Sequence, residues 1–185
     1  MNQYRQWVLG VFGMALCGVS TLGYCLPKLG DDEGYILVAM KIEQGYVPSH
    51  ITLDTDGWLS DLRFEDVTSN YNYWLEVVDA GSYTWDRVYL AKQTYIDISE
   101  QDYVINVEAG KINYAGHLSM YTEMNGSLNY LIGGARFYFN NKASQALEYM
   151  EASYPEVLSQ YNLNYTGKEK DHFFEYAKAI EGNQL

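Results

Sequence analysis

The residues of this chain best able to do chemistry are its acids. The stretch "LDTDGWLSDLRFED", Leu53 to Asp66, is the most acidic in the body of the chain. Asp54, Asp56 and Asp61 offer oxygen ligands of the kind calcium takes, but the spacing departs from an EF-hand loop: Gly57 comes too early and no Glu closes the motif. Two carboxylates flanking a cleft would also suit glycoside hydrolysis. Among 24 acidic residues, however, a pair carries no weight by sequence alone. His50, His117 and His172 are far apart and none has a partner at ligand spacing. The motifs G-x-G-x-x-G, G-x-x-x-x-G-K-[ST], H-E-x-x-H and G-x-S-x-G are absent, and "GGAR", Gly133 to Arg136, lacks the lysine of a phosphate loop. The expectation is no catalytic residue, no metal and no cofactor.

A different chemistry is offered by aromatic rings. In "YTWDRVYL", Tyr83, Trp85, Arg87 and Tyr89 alternate with Thr84, Asp86, Val88 and Leu90. That period of two places Tyr83, Trp85 and Tyr89 on one strand face. Exposed, such rings stack on sugars; buried, they fill a core, with the indole N–H and phenol O–H bonded at its margin. They are the candidate ligand-binding residues.

The elements that must position these groups read as strands first and helices last. A chain of 185 residues is one domain of ordinary size, and its 19 Tyr suit pleated surfaces better than helices. "GYILVAMKIE", Gly34 to Glu43, "HITLD", and "YNYWLEVV", Tyr71 to Val78, have strand length and content. The break Asp79-Ala80-Gly81 predicts a hairpin between the last of these and the strand of Trp85. Tyr103, Ile105 and Val107 take one face before a corner at Ala109-Gly110. Beyond it Ile112, Tyr114, Leu118 and Met120 share a face, with Asn113, His117 and Ser119 opposite, and Gly116 marks a bulge or a close approach. Asn125-Gly126 predicts a second hairpin into "SLNYLIGGARFYF". From Asn140 the period changes to helical. Asn140 or Asn141 caps a helix presenting Ala143, Leu147, Met150 and Tyr154; Pro155 opens or kinks the next turn; and Thr166 with Glu169 forms a capping box for a last helix.

The N-terminus reads as targeting. Arg5 precedes an uncharged run from Trp7 to Leu26, a charged region followed by an apolar one as in a signal peptide, and long enough at about 20 residues to span a bilayer. Both cysteines, Cys17 and Cys25, fall within it, so the body holds no disulfide. A cysteine ending such a leader is a candidate for lipidation. Leu16 and Tyr24 precede them where a small residue is usual. Without Arg5 the body keeps 11 basic residues against 24 acidic, a net charge of −13, which repels nucleic acid and anionic lipid headgroups. Membrane attachment is therefore expected only through the N-terminal segment.

With "AGSYTWDRV", Ala80 to Val88, "INVEAGKINYAGHL", Ile105 to Leu118, and "ALEYMEASYP", Ala146 to Pro155, the chain resembles a loosely defined group of uncharacterised bacterial envelope proteins and lipoproteins. The resemblance implies a transthyretin-like or immunoglobulin-like sandwich at the cell envelope and implies no catalytic residue. The expectation is a mainly β protein: a signal peptide or anchor over 1–26, an antiparallel β-sandwich over 27–139, and a segment of one to three helices packed on it over 140–185. It would be exported to a bacterial envelope, periplasmic or outer-membrane associated. There it would act as a non-enzymatic accessory or interaction module, or bind a glycan or small ligand, with a hydrolase as the remaining reading.

Overall fold

The computed structural model describes residues 28–55, 61–101, 103–123 and 134–167. In chain order its elements are β1 (Glu33–Gln44), β2 (His50–Thr55), β3 (Leu62–Phe64), β4 (Tyr71–Asp79), β5 (Gly81–Ala91), β6 (Thr94–Asp97), a 3-10 turn at Ser99–Gln101, β7 (Val104–Val107), β8 (Ile112–Tyr121), β9 (Arg136–Asn140), α1 (Ala143–Ser153), α2 (Pro155–Gln160) and β10 (Leu163–Tyr165). Among the described residues the strands form two five-stranded sheets. In the first, β4, β1 and β8 lie side by side, and the far edge of β8 is shared by β10 and β9. In the second, β3, β2 and β5 lie side by side, and β6 and β7 share the far edge of β5.

The protein is mainly β, and its two sheets face each other across an apolar core. Ile36, Val38 and Met40 of β1 meet Ile51, Leu53, Trp85 and Val88 of the second sheet there. The outer face of the first sheet is covered as well. Tyr35, Leu37, Ala39, Ile112 and Tyr114 pack beneath Ala143, Ala146 and Met150 of α1. This explains the unbroken apolar run in β1: a strand buried on both faces has no polar side to present. Each fully buried aliphatic side chain contributes about 1.5–3 kcal/mol.

Three expectations need correction. The sandwich is not wholly antiparallel, because β8 runs parallel to both β1 and β10. The Asp79-Ala80-Gly81 break is not a hairpin but a crossing from the first sheet to the second. The crossing is fastened by Ala80 N–H donating to Asp32 O at 2.8 Å and the Tyr83 hydroxyl donating to Asp79 O at 2.7 Å. The segment from 140 is not purely helical, since β10 adds an edge strand to β8. The leader, Asp56, Trp58, the Asn125-Gly126 turn and the last helix, with Glu169 and His172, lie outside the described residues.

Both long central strands carry a β-bulge, and each bulge turns the strand over. In β8, Leu37 faces Tyr114 but Ala39 faces His117, so Ala115 and Gly116 stand against one residue of β1. Ile112 and Tyr114 therefore face the helices, whereas Leu118 and Met120 face the sandwich core. Gly116 has φ +111°, and a Cβ there would lie 3.1 Å from the carbonyl oxygen of Asn140. Glycine is required at that point because β9 replaces β10 as the partner of β8 beside it.

Two short helices follow. The Asn141 side chain accepts from Ala143 N–H at 3.0 Å at the head of α1, and Pro155 opens α2, where its missing N–H costs nothing.

Candidate binding face

The second bulge sorts the aromatic candidates. Leu53 pairs with Trp85 and Thr52 with Arg87, leaving Asp86 as the extra residue of β5. Before the bulge Tyr83 and Trp85 point into the sandwich, 6% and 1% exposed; after it Val88 and Leu90 do. Arg87 and Tyr89 are thereby turned to the outer face. The expected platform of Tyr83, Trp85 and Tyr89 on one face is thus corrected to two buried core residues and one outer residue. Trp85 packs edge-on against Phe139 at 5.5 Å, and its indole N–H meets no acceptor among the described residues. The pocket beside it holds about 30 Å³, room for a water but not for a sugar ring. Trp74, by contrast, donates its N–H to Glu65 O at 3.0 Å.

The outer face of the second sheet has no helix packed on it among the described residues. It holds an open cleft of about 710 Å³ lined by His50, Thr52, Tyr89, Asp61, Arg63 and Glu65. His50 of β2 and Tyr89 of β5 are register partners, and their rings stack at 4.1 Å and 14°. Tyr95 of β6 continues the row at 5.4 Å from Tyr89, with the Arg87 guanidinium 4.7 Å over its ring. The row thus crosses three strands. Sequence reading found Tyr89 but missed His50 and Tyr95, because their meeting depends on cross-strand register.

The polar groups of this face are set by the bulge. The Asp86 carboxylate accepts from the Thr52 hydroxyl at 3.0 Å and lies 3.6 Å from Arg87 Nε, an ion pair too long for a hydrogen bond. Burial pushes its carboxyl above the usual range. Thr52 and Arg87 pull the other way, and Asp61 and Asp54 add to the rise. His50 is held below its ordinary value by burial, with Arg63 beside it acting in the same sense. Its Nδ1 lies 3.0 Å from the Ser49 hydroxyl, which also bonds Tyr89 O. His50 is therefore neutral at pH 7 and its ring suits stacking. The cleft can hold a polar ligand by aromatic contact at Tyr89 and by the Asp61, Glu65 and Arg63 side chains that line it.

The other expected chemistry is dispersed. Asp54 and Asp61 are both exposed, and among the described residues no group of three or more His, Cys, Asp or Glu is placed to hold a metal ion. His117 is on the opposite side of the molecule, fully buried beneath α1. Cys17 and Cys25 lie outside the described residues. Compared with known proteins, the chain matches no family model, no curated protein and no solved structure.

Proposed function

We propose that this protein is an exported, non-enzymatic binding module of a bacterial cell envelope, and that the outer face of its second sheet is the working surface. The carrying observation is the open cleft beside the stacked His50–Tyr89 pair. The first sheet has its outer face under α1, whereas the second presents rings, a buried carboxylate and cations together. A glycan or another polar small ligand suits this mixture: an aromatic ring stacks on the C–H face of a sugar while Asp61, Glu65 and Arg63 of the cleft bind hydroxyls. The charged-then-apolar stretch at Arg5 to Leu26 supports export, with membrane attachment through that segment and Cys17 or Cys25 as the acylation candidates. The net charge of −13 in the body argues against a nucleic-acid partner.

Calorimetric titration of the protein with a panel of oligosaccharides representative of bacterial envelope glycans tests the reading. Binding is expected for at least one, weakened about tenfold, or about 1.4 kcal/mol, by Tyr89→Ala. A panel without a binder, or affinity indifferent to Tyr89, would rule the glycan out. Mass spectrometry of the mature N-terminus tests export separately: an intact, unmodified Met1 on protein recovered from the cytoplasm would refute it.

A further inference from the structure

The covered face of the first sheet holds a polar group that the cleft does not use. His117 is fully buried between β8 and α1. Its Nδ1 is hydrogen-bonded to the Tyr114 hydroxyl, and its Nε2 lies 3.0 Å from the Tyr73 hydroxyl. Those two tyrosines are also attachment points of α1. The Tyr114 hydroxyl accepts Lys142 N–H at 3.3 Å, at the head of the helix, and the Tyr73 ring stacks on Tyr149 of α1 at 4.2 Å and 11°.

A neutral imidazole donates through one nitrogen and accepts through the other, which fits a position between two hydroxyls; an imidazolium donates through both and carries charge. Among the described residues, the groups around His117 offer that charge no counterion. Lys41 of β1, Tyr71 and Tyr73 of β4, Tyr114 of β8 and Lys142 before α1 surround it, while Tyr149 and Glu148 of α1 act on Tyr73. The charges that act on His117 are the cations Lys142 and Lys41.

The layer above is thinly held. In α1 only Ala143, Ala146 and Met150 are buried, α2 buries no residue, and β10 joins the sheet through three residues. Its core is separate from the one between the sheets. Few buried apolar contacts mark a unit able to open on its own.

We propose that protonation of His117 releases the helical layer, residues 143–165, from the first sheet while the sandwich stays folded, so that acid uncovers the apolar, tyrosine-bearing face of that sheet. Closed, His117 has its pKa lowered by burial to about 3; open, it returns to about 6.5. The open form therefore takes the proton first, and opening grows about tenfold per pH unit as pH falls below about 6.5.

Deuterium exchange of the full chain, read by mass spectrometry and corrected for intrinsic rates, tests this at pH 7.5 and 4.5. Exchange in 143–165 should rise about 100-fold at the lower pH, with β2 and β5 unchanged. In His117→Gln that rise should disappear. Simultaneous loss across both sheets, or an equal rise in His117→Gln, overturns the proposal. If His117→Gln does not fold, the parent protein at pH 5.5 decides: exchange in 143–165 should already have risen about tenfold there, and no rise overturns the proposal.

Discussion

Asp86 shows how one residue of extra strand length changes the chemistry of a surface. Without the bulge, strict alternation would put Asp86 and Arg87 on opposite faces; with it both reach the outer face beside Thr52. The carboxyl is raised by burial, so the native state binds a proton more readily than the unfolded chain does. By linkage, stability contributed by this group is present at low pH and lost as pH rises through the folded pKa. Asp86→Asn keeps an oxygen to accept from Thr52 and removes the charge. Thermal melts should show it more stable than the parent at pH 7, with the difference shrinking by pH 4. A lower melting temperature at pH 7 would mean that the attraction of Arg87 outweighs burial.

At the scale of elements, β5 and β8 play equivalent parts. Each is the central strand of its sheet, each has its far edge divided between two short strands, and each turns over at a bulge. In β8 the turn lets one strand serve two cores, Tyr114 beneath the helices and Leu118 between the sheets. The conformation rests on Gly116, since φ +111° is a region that side chains rarely adopt and a Cβ there would crowd Asn140 O at 3.1 Å. Gly116→Ala should cost about 1–3 kcal/mol in urea denaturation. Gly110→Ala, at φ +70° in the corner before β8 and with nothing within 4 Å of a new Cβ, should cost less. Equal costs would locate the strain outside the crowding at β9.

At the scale of the whole molecule, the described residues form three layers around two cores of unequal depth. The sandwich core draws on both sheets and includes Trp85, Ile51 and Leu53 at 1% exposure or less, whereas the helical core rests on buried residues of the first sheet, such as Tyr35 and Tyr114, and takes from the helices one large fully buried side chain, Met150. Truncations in the two should therefore differ in reach. Leu53→Ala should lower the stability of the whole protein by about 2–5 kcal/mol. Met150→Ala should raise exchange in 143–165 while the sandwich keeps its protection. If Met150→Ala weakens both layers equally, the protein unfolds as one unit.

By itself the sequence determined what depends on short-range pattern. The apolar run of β1, the aromatic strands β4 and β5, the corner at Gly110, the need for Gly116 and the helical period through Met150 were all legible, because side-chain periodicity and special backbone angles are written locally. Strand partners were not legible. The hairpin expected at Asp79–Gly81 is a crossing between sheets, and β8 runs parallel to β1, since pairing is settled by which faces bury most apolar area across the chain. A period of two also assumes an unbroken ladder, so the bulges moved Arg87, Tyr89 and His117 to faces that alternation could not assign. The tertiary structure alone decided that Trp85 belongs to the core and that Tyr89 stacks on His50. It also decided that His117 sits between Tyr73 and Tyr114 under α1: Tyr89 meets His50, and Tyr73 meets His117, across strands held by register, while the bulge at Ala115 and Gly116 puts Tyr114 and His117 on one face of β8.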